Sequence, residues 1–210
     1  IHDVIVNYKG GTGVANQYYG LLCRVNTTSG VIERFVINND PEEGLFPFAG
    51  YYSCGLVASA NTGVIRDGYV YGEDIYAATT TSRGSDIRIG GIVGDNGTVG
   101  QLENVFSLVN VVVPPPQDAS GKANTYYGSV AGCANGSISN MYGIGQSTYT
   151  VPDTSNGEYY DVDSIGPVLG TNNSTNRNIY YWNEQQKSYV NGKYQELISL
   201  ESLHDYNWQK

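Results

Sequence analysis

The stretch Gly90-Gly91-Ile92-Val93-Gly94-Asp95-Asn96-Gly97, followed by Leu102-Glu103-Asn104-Val105-Phe106-Ser107, carries the pattern that decides the fold. Glycine opens it, branched apolar residues follow, a polar turn closes them, and a second apolar run begins. The same order recurs along the chain. Gly20-Leu21-Leu22-Cys23, Gly55-Leu56-Val57-Ala58, Gly91-Ile92-Val93-Gly94, Gly128-Ser129-Val130-Ala131 and Gly166-Pro167-Val168-Leu169 place a leading glycine every 35 to 38 residues. Polar turns follow at residues 26–30, 59–63, 95–97, 135–137 and 171–175. The second run has its own marker, Asn or Asp two residues before an aromatic: Asp67 with Tyr69, Asn104 with Phe106, Asn140 with Tyr142 and Asn178 with Tyr180. It stands 12 or 13 residues after the leading glycine, so two independent signals keep register. The first copy, Ile32-Glu33-Arg34-Phe35-Val36, departs from the marker, as a terminal unit does.

A unit of this length reads as two or three short strands rich in Val, Ile and Tyr, punctuated by Gly, Asn and Pro. Alone it cannot bury its apolar face, so neighbouring units must stack or close into a ring. A propeller blade runs to roughly 40–45 residues in four strands, longer than these units. Stacking also accounts for the markers, because equivalent positions then lie about 4.8 Å apart. Val57, Val93, Val130 and Val168, headed by Leu22, are expected to form an internal file. Asp67, Asn104, Asn140 and Asn178 are expected to form a second, in which side-chain amides bond along the stack. The fold expected is all-β, a right-handed β-solenoid (parallel β-helix) of about five coils over residues 1–187. From Ser188 the rhythm fades. Leu197, Leu200 and Leu203 share one face of an expected short helix, with Trp208 beyond, so residues 188–210 read as a C-terminal helical cap or a linker to a following domain.

Composition narrows the function. Among 210 residues there are 27 Gly and 19 Tyr, while charged residues make up 15%. The net charge of -9 repels phosphate backbones and anionic bilayers, so no nucleic-acid partner is expected. Nor is membrane insertion, since no run approaches the roughly 18 apolar residues of a span. A lone Met141 inside the chain and Ile1 at its start read as a piece of a longer protein.

The Gly90–Gly97 run with Leu102–Ser107 resembles the GLUG repeat of bacterial surface proteins, named for its Gly-Leu-apolar-Gly run. Gly128-Ser129-Val130-Ala131-Gly132 through Asn140-Met141-Tyr142 is a second, looser copy, and the resemblance covers residues 15–183. Ser129 and Pro167 depart from it at the apolar position after glycine. In that family such repeats accompany adhesins and zinc metallopeptidases of the IgA-protease type, outside the catalytic domain. The resemblance implies a non-catalytic accessory module of a secreted or cell-wall protein linked to virulence, extracellular or on a Gram-positive-type surface. Its implied partners are a host glycoprotein or immunoglobulin, a surface glycan, and neighbouring domains of the parent chain. A β-helical carbohydrate-binding or carbohydrate-cleaving domain is the alternative.

Candidate chemistry is sparse, and no cofactor or catalytic set is expected. Zinc proteolysis needs paired His at ligand spacing, whereas His2 and His204 lie at opposite ends. Carbohydrate cleavage would use paired carboxylates. Glu158, Asp161 and Asp163 form one such group and Asp40, Glu42 and Glu43 another; both read as solvated loops, with Asp161 and Asp163 a candidate calcium pair. Cys23, Cys54 and Cys133 are odd in number and read as buried free thiols, with a Cys23–Cys54 disulfide as the alternative. The Asn-x-Ser/Thr sequences at Asn26, Asn96, Asn135, Asn172 and Asn173 read as turn chemistry. The pairs Tyr18-Tyr19, Tyr51-Tyr52, Tyr126-Tyr127, Tyr159-Tyr160 and Tyr180-Tyr181 each place one ring outward, because neighbours in a strand face opposite sides. Tyr52, Tyr127 and Tyr160 are the candidate exposed binding aromatics; covering the sheet is the alternative role for such rings.

Overall fold

The computed structural model describes residues 1–10, 16–43, 49–77, 86–113, 125–143, 147–149, 165–166, 168–172, 176–181 and 196–197. They form strands β1 (His2–Tyr8), β2 (Asn16–Tyr19), β3 (Cys23–Asn26), β4 (Val31–Asn39), β5 (Ala49–Cys54), β6 (Ala58–Asn61), β7 (Val64–Gly72), β8 (Ile75–Ala77), β9 (Ile87–Gly90) and β10 (Val93–Asn96). They continue as β11 (Gln101–Ser107), β12 (Val111–Val113), β13 (Thr125–Gly128), β14 (Ala131–Ala134), β15 (Ser137–Gly143), β16 (Ser147–Tyr149), β17 (Ile165–Gly166), β18 (Leu169–Asn172), β19 (Asn176–Tyr181) and β20 (Glu196–Leu197). The protein is a β-solenoid. One sheet runs β1-β4-β7-β11-β15-β19-β20, a second β18-β14-β10-β6-β3, and a third β16-β12-β8-β5-β9-β13-β17 with β2 beside β5. The pairings within them are parallel. Among the described residues, three complete turns pass through β5–β8, β9–β12 and β13–β16.

Inside, like stacks on like. Ile32, Ile65, Leu102 and Ile138 face one another across β4, β7, β11 and β15, each at most 2% exposed. Each such side chain contributes about 2 kcal/mol by leaving water. The expected valine file needs one correction. Val93 pairs with Ala58 and Ala131, so it belongs with Cys23 and Leu169. The residue level with Val57, Val130 and Val168 is Ile92, whose amide donates to Val130 O and whose carbonyl accepts from Val57 N. Val57, Ile92, Val93, Val130 and Val168 are all fully buried, so the core stands and only the register moves.

The cause is the doubled glycine. Gly90, not Gly91, pairs with Gly128. A Cβ on Gly90 would sit 2.6 Å from the Ala131 Cα, just as one on Gly55 would sit 2.5 Å from the Val93 Cα, so this corner admits no side chain. Residues 97–100 join β10 to β11, whereas the shorter 62–63 and 135–136 join β6 to β7 and β14 to β15. The longer turn restores nearly regular spacing when Gly91 is taken as the origin, which disguises the shift.

At the C-terminal end, Glu196 and Leu197 form β20, paired in parallel with Tyr180 and Tyr181 of β19. These two residues extend the sheet and do not begin the expected helix. The rest of that helix, including Leu200, Leu203 and Trp208, lies outside the described residues.

Candidate functional site: an axial groove between two side-chain files

Strands β4, β7, β11 and β15 each bend at one residue of left-handed backbone: Arg34 (φ 50°), Asp67 (55°), Asn104 (51°) and Asn140 (52°), with Asp3 (56°) in β1. Asn and Asp tolerate this conformation better than other residues bearing a Cβ. The bend breaks strict alternation. Ile65 and Gly68 are buried while Arg66 and Asp67 are exposed. Gly68 faces Phe35 across the ladder, and a Cβ there would meet the Phe35 ring at 2.5 Å, so glycine makes room for the largest fully buried side chain among the described residues.

Two residues beyond each bend, Ile5, Val36, Tyr69, Phe106 and Tyr142 fall in line. This file and the bend residues line a groove of about 870 Å³ running along the axis. The amide wall is the ladder expected from sequence: Asn140 Nδ2 donates to Asn104 Oδ1 at 2.8 Å, and Asn104 Nδ2 to Asp67 Oδ1 at 2.9 Å. Asn178 lies in β19, level with this file, but its side chain is outside the described set. On the opposite wall, Tyr69 and Phe106 stack with centroids 4.9 Å apart and planes 7° from parallel. Their faces cover each other and their edges meet the groove.

Charge is compensated at one end. Arg34 donates through Nε and Nη2 to Asp3 at 2.6 and 3.0 Å, and through Nη1 to Glu33 at 2.9 Å. His2 also lies 2.8 Å from Asp3. The Arg34 hydrogen bonds, followed by that of His2, hold the Asp3 carboxyl well below the usual carboxylate range. Glu33 is lowered chiefly by its bond from Arg66. Asp3 therefore stays ionised at neutral pH and is unsuited to donating a proton.

A second ladder, not anticipated from sequence, runs inside the solenoid. Asn26 Nδ2 donates to Asn61 Oδ1 and Asn61 Nδ2 to Asn96 Oδ1, each at 2.8 Å, and all three side chains are buried. Two of the glycosylation-like sequences thus start at buried ladder residues. The signal available was positional: Asn26, Asn61 and Asn96 each precede a turn that ends in glycine.

The other candidates scatter. Tyr52 is half-buried against Tyr18, with ring centroids 5.7 Å apart. Tyr127 is 4% exposed, a correction to its expected outward pose. It is level with buried Ile89, so the outward ring of that pair is Tyr126, level with Arg88. Tyr160, Asp161, Asp163, Glu158 and His204 lie outside the described residues. Asp40 accepts from Lys9 Nζ at 2.7 Å, and Glu42 and Glu43 are exposed. The three cysteines are free thiols, with Cys54 and Cys133 buried and Cys23 half-buried. Cys54 is level with Tyr19 and Cys23 with Ala58, so the two are not paired across adjacent strands. Among the described residues no group of three or more His, Cys, Asp or Glu is placed to hold a metal ion. No family model, no curated protein and no solved structure matches this chain, so its function is read from the groove and the ladders themselves.

Proposed function

We propose that this chain is a non-catalytic accessory module of a large extracellular bacterial surface protein of the GLUG-repeat kind. In this reading it is a right-handed solenoid of five coils, with residues 188–210 capping it or linking it to a neighbouring domain. Its work is adhesion, spacing, or presentation of substrate to an adjoining catalytic domain such as a zinc metallopeptidase. The observation that carries the reading is the groove whose polar wall is laddered from strand to strand. Side chains locked to one another along a rigid axis are oriented for contact. Cleavage of a glycan needs an acid with a raised pKa; in the groove Asp3 is shifted the opposite way, and Asp95, whose pKa burial raises, is not among the groove's lining residues.

The test passes the purified chain over immobilised host glycoproteins, including immunoglobulin A, and over bacterial surface glycans. Retention without release of reducing ends is expected. Lack of retention would leave only the spacer role. Glycan cleavage that disappears in Asp161→Asn or Asp163→Asn would overturn the non-catalytic reading in favour of a carbohydrate-cleaving domain.

A further inference from the structure

We infer that the axial groove binds an uncharged, linear polysaccharide laid parallel to the solenoid axis; this rests on the binding-module reading and names its ligand class. The first argument is shape. From Asp3 to Asn140 the groove crosses five strands, and with strands about 4.8 Å apart it is roughly 19 Å long. A trough that repeats one chemical group per strand suits a polymer that repeats its own hydroxyls, whereas a compact ligand would use only one stretch of it.

The second argument is the chemistry of the walls. Asn104 uses one N–H toward Asp67 and accepts from Asn140, which leaves its carboxamide a second N–H and a second lone pair. Paired donors and acceptors of this kind match vicinal hydroxyls. Opposite them, the edges of Tyr69 and Phe106 and the exposed Ile5, at 76%, supply apolar contact for the C–H faces of a sugar ring. The walls are side chains rather than an open strand edge, so an extended peptide finds no backbone partners there.

The third argument is charge. Arg34, the groove's cation, is engaged by Asp3 and Glu33. Asp67 adds a carboxylate that Arg66 approaches to 3.8 Å, and the chain carries a net charge of -9, so an anionic glycan meets no unengaged cation among the groove's lining residues.

The experiment is isothermal titration of the full chain with cellohexaose, xylohexaose and mannohexaose, beside hexagalacturonate and hexalysine as charged probes of similar length. At least one uncharged hexasaccharide is expected to bind, with affinity falling at least tenfold in Tyr69→Ala and in Asn104→Ala, while hexagalacturonate does not bind. Asn104→Asp keeps the side chain's size but removes the donor to Asp67 and sets a second carboxylate against it, whereas Tyr69→Leu leaves the amide ladder intact. Both are expected to weaken the same ligand, and Tyr69→Leu is expected to do so while melting like the parent, which separates lost contact from lost fold. The inference is overturned if none of the three binds, if Asn104→Asp and Tyr69→Ala bind as the parent does, or if either charged probe binds better. Retention on a host glycoprotein that survives these substitutions would sink the inference and keep the module reading.

Discussion

At the scale of single residues, Asp95 in β10 is a half-buried carboxyl only partly satisfied. Its Oδ2 accepts from Arg88 Nη1 at 3.2 Å, but its buried Oδ1 has no partner. Burial pushes the Asp95 pKa up, Arg88 opposes this, and Asp86 adds to it. A carboxyl whose folded pKa exceeds its unfolded value, about 3.9, contributes stability that is full below that value and lost as pH rises through the folded pKa. Asp95→Asn keeps an oxygen for Arg88 and removes the charge. It is expected to melt above the parent at pH 7, with the gap closing at pH 3, as followed by circular dichroism. A gap as large at pH 3 would mean that packing rather than ionisation sets the difference. Asp3 behaves oppositely: its lowered pKa gives a contribution that favours the folded state above the unfolded value and is lost in acid, and the side chain's exposure opens that contribution to screening by salt.

At the scale of elements, the two ladders show what a sequence discloses and what it conceals. The exposed Asp67–Asn104–Asn140 file was legible because an aromatic two residues on marks every copy. That these residues take left-handed backbone, and so open a groove beside the aromatic file, was not legible, since it depends on how the strand bends over Gly68 and its equivalents. The inward pose of Tyr127 was hidden for a related reason. A pair of tyrosines fixes alternation but not which member faces in, and only the pairing with Ile89 decides it. The buried Asn26–Asn61–Asn96 ladder was hidden because asparagine at the head of a glycine-closed turn is ordinary turn chemistry, and because Ala134 interrupts the file.

That interruption is testable. Asn96 Nδ2 is left with only a 3.4 Å bond to Gly100 O. Ala134 is level with Asn96, and residues 135–136 follow it as 62–63 follow Asn61. Ala134→Asn is therefore expected to extend the ladder and raise unfolding free energy by about 1 kcal/mol in urea titrations. Asn61→Ala takes the Asn61 donor from Asn96 Oδ1 and the Asn61 acceptor from Gly63 N inside the core, while Asn26 Nδ2 keeps its bonds to Gly30 O and Val64 O; it is expected to cost about 3 kcal/mol by the same measurement. Equal and small effects would show that the ladder is ornament on a core held by apolar burial alone.

At the scale of the whole molecule, each turn touches only its neighbours, so stability is a sum of turn and interface contributions, and a whole turn can be removed if register survives. Register is the point on which sequence and structure diverge. Alignment on Gly91 prescribes excising residues 91–127, whereas the pairing of Gly90 with Gly128 prescribes residues 90–127. The second excision joins Ile89 to Gly128. It brings Gly68 of β7 beside Met141 of β15 and Tyr69 beside Tyr142, so core meets core and ring meets ring. The first leaves one residue too many at a corner where a Cβ on Gly90 would already touch the next strand. A one-residue slip in a strand sends its apolar set to the wrong face. The chain lacking residues 90–127 is thus expected to keep a parallel-strand circular dichroism spectrum and a single cooperative melt at lower temperature, and the chain lacking 91–127 to lose the cooperative melt. If both unfold alike, the corner absorbs the extra residue as a bulge, and the glycine file does not set the register of the stack.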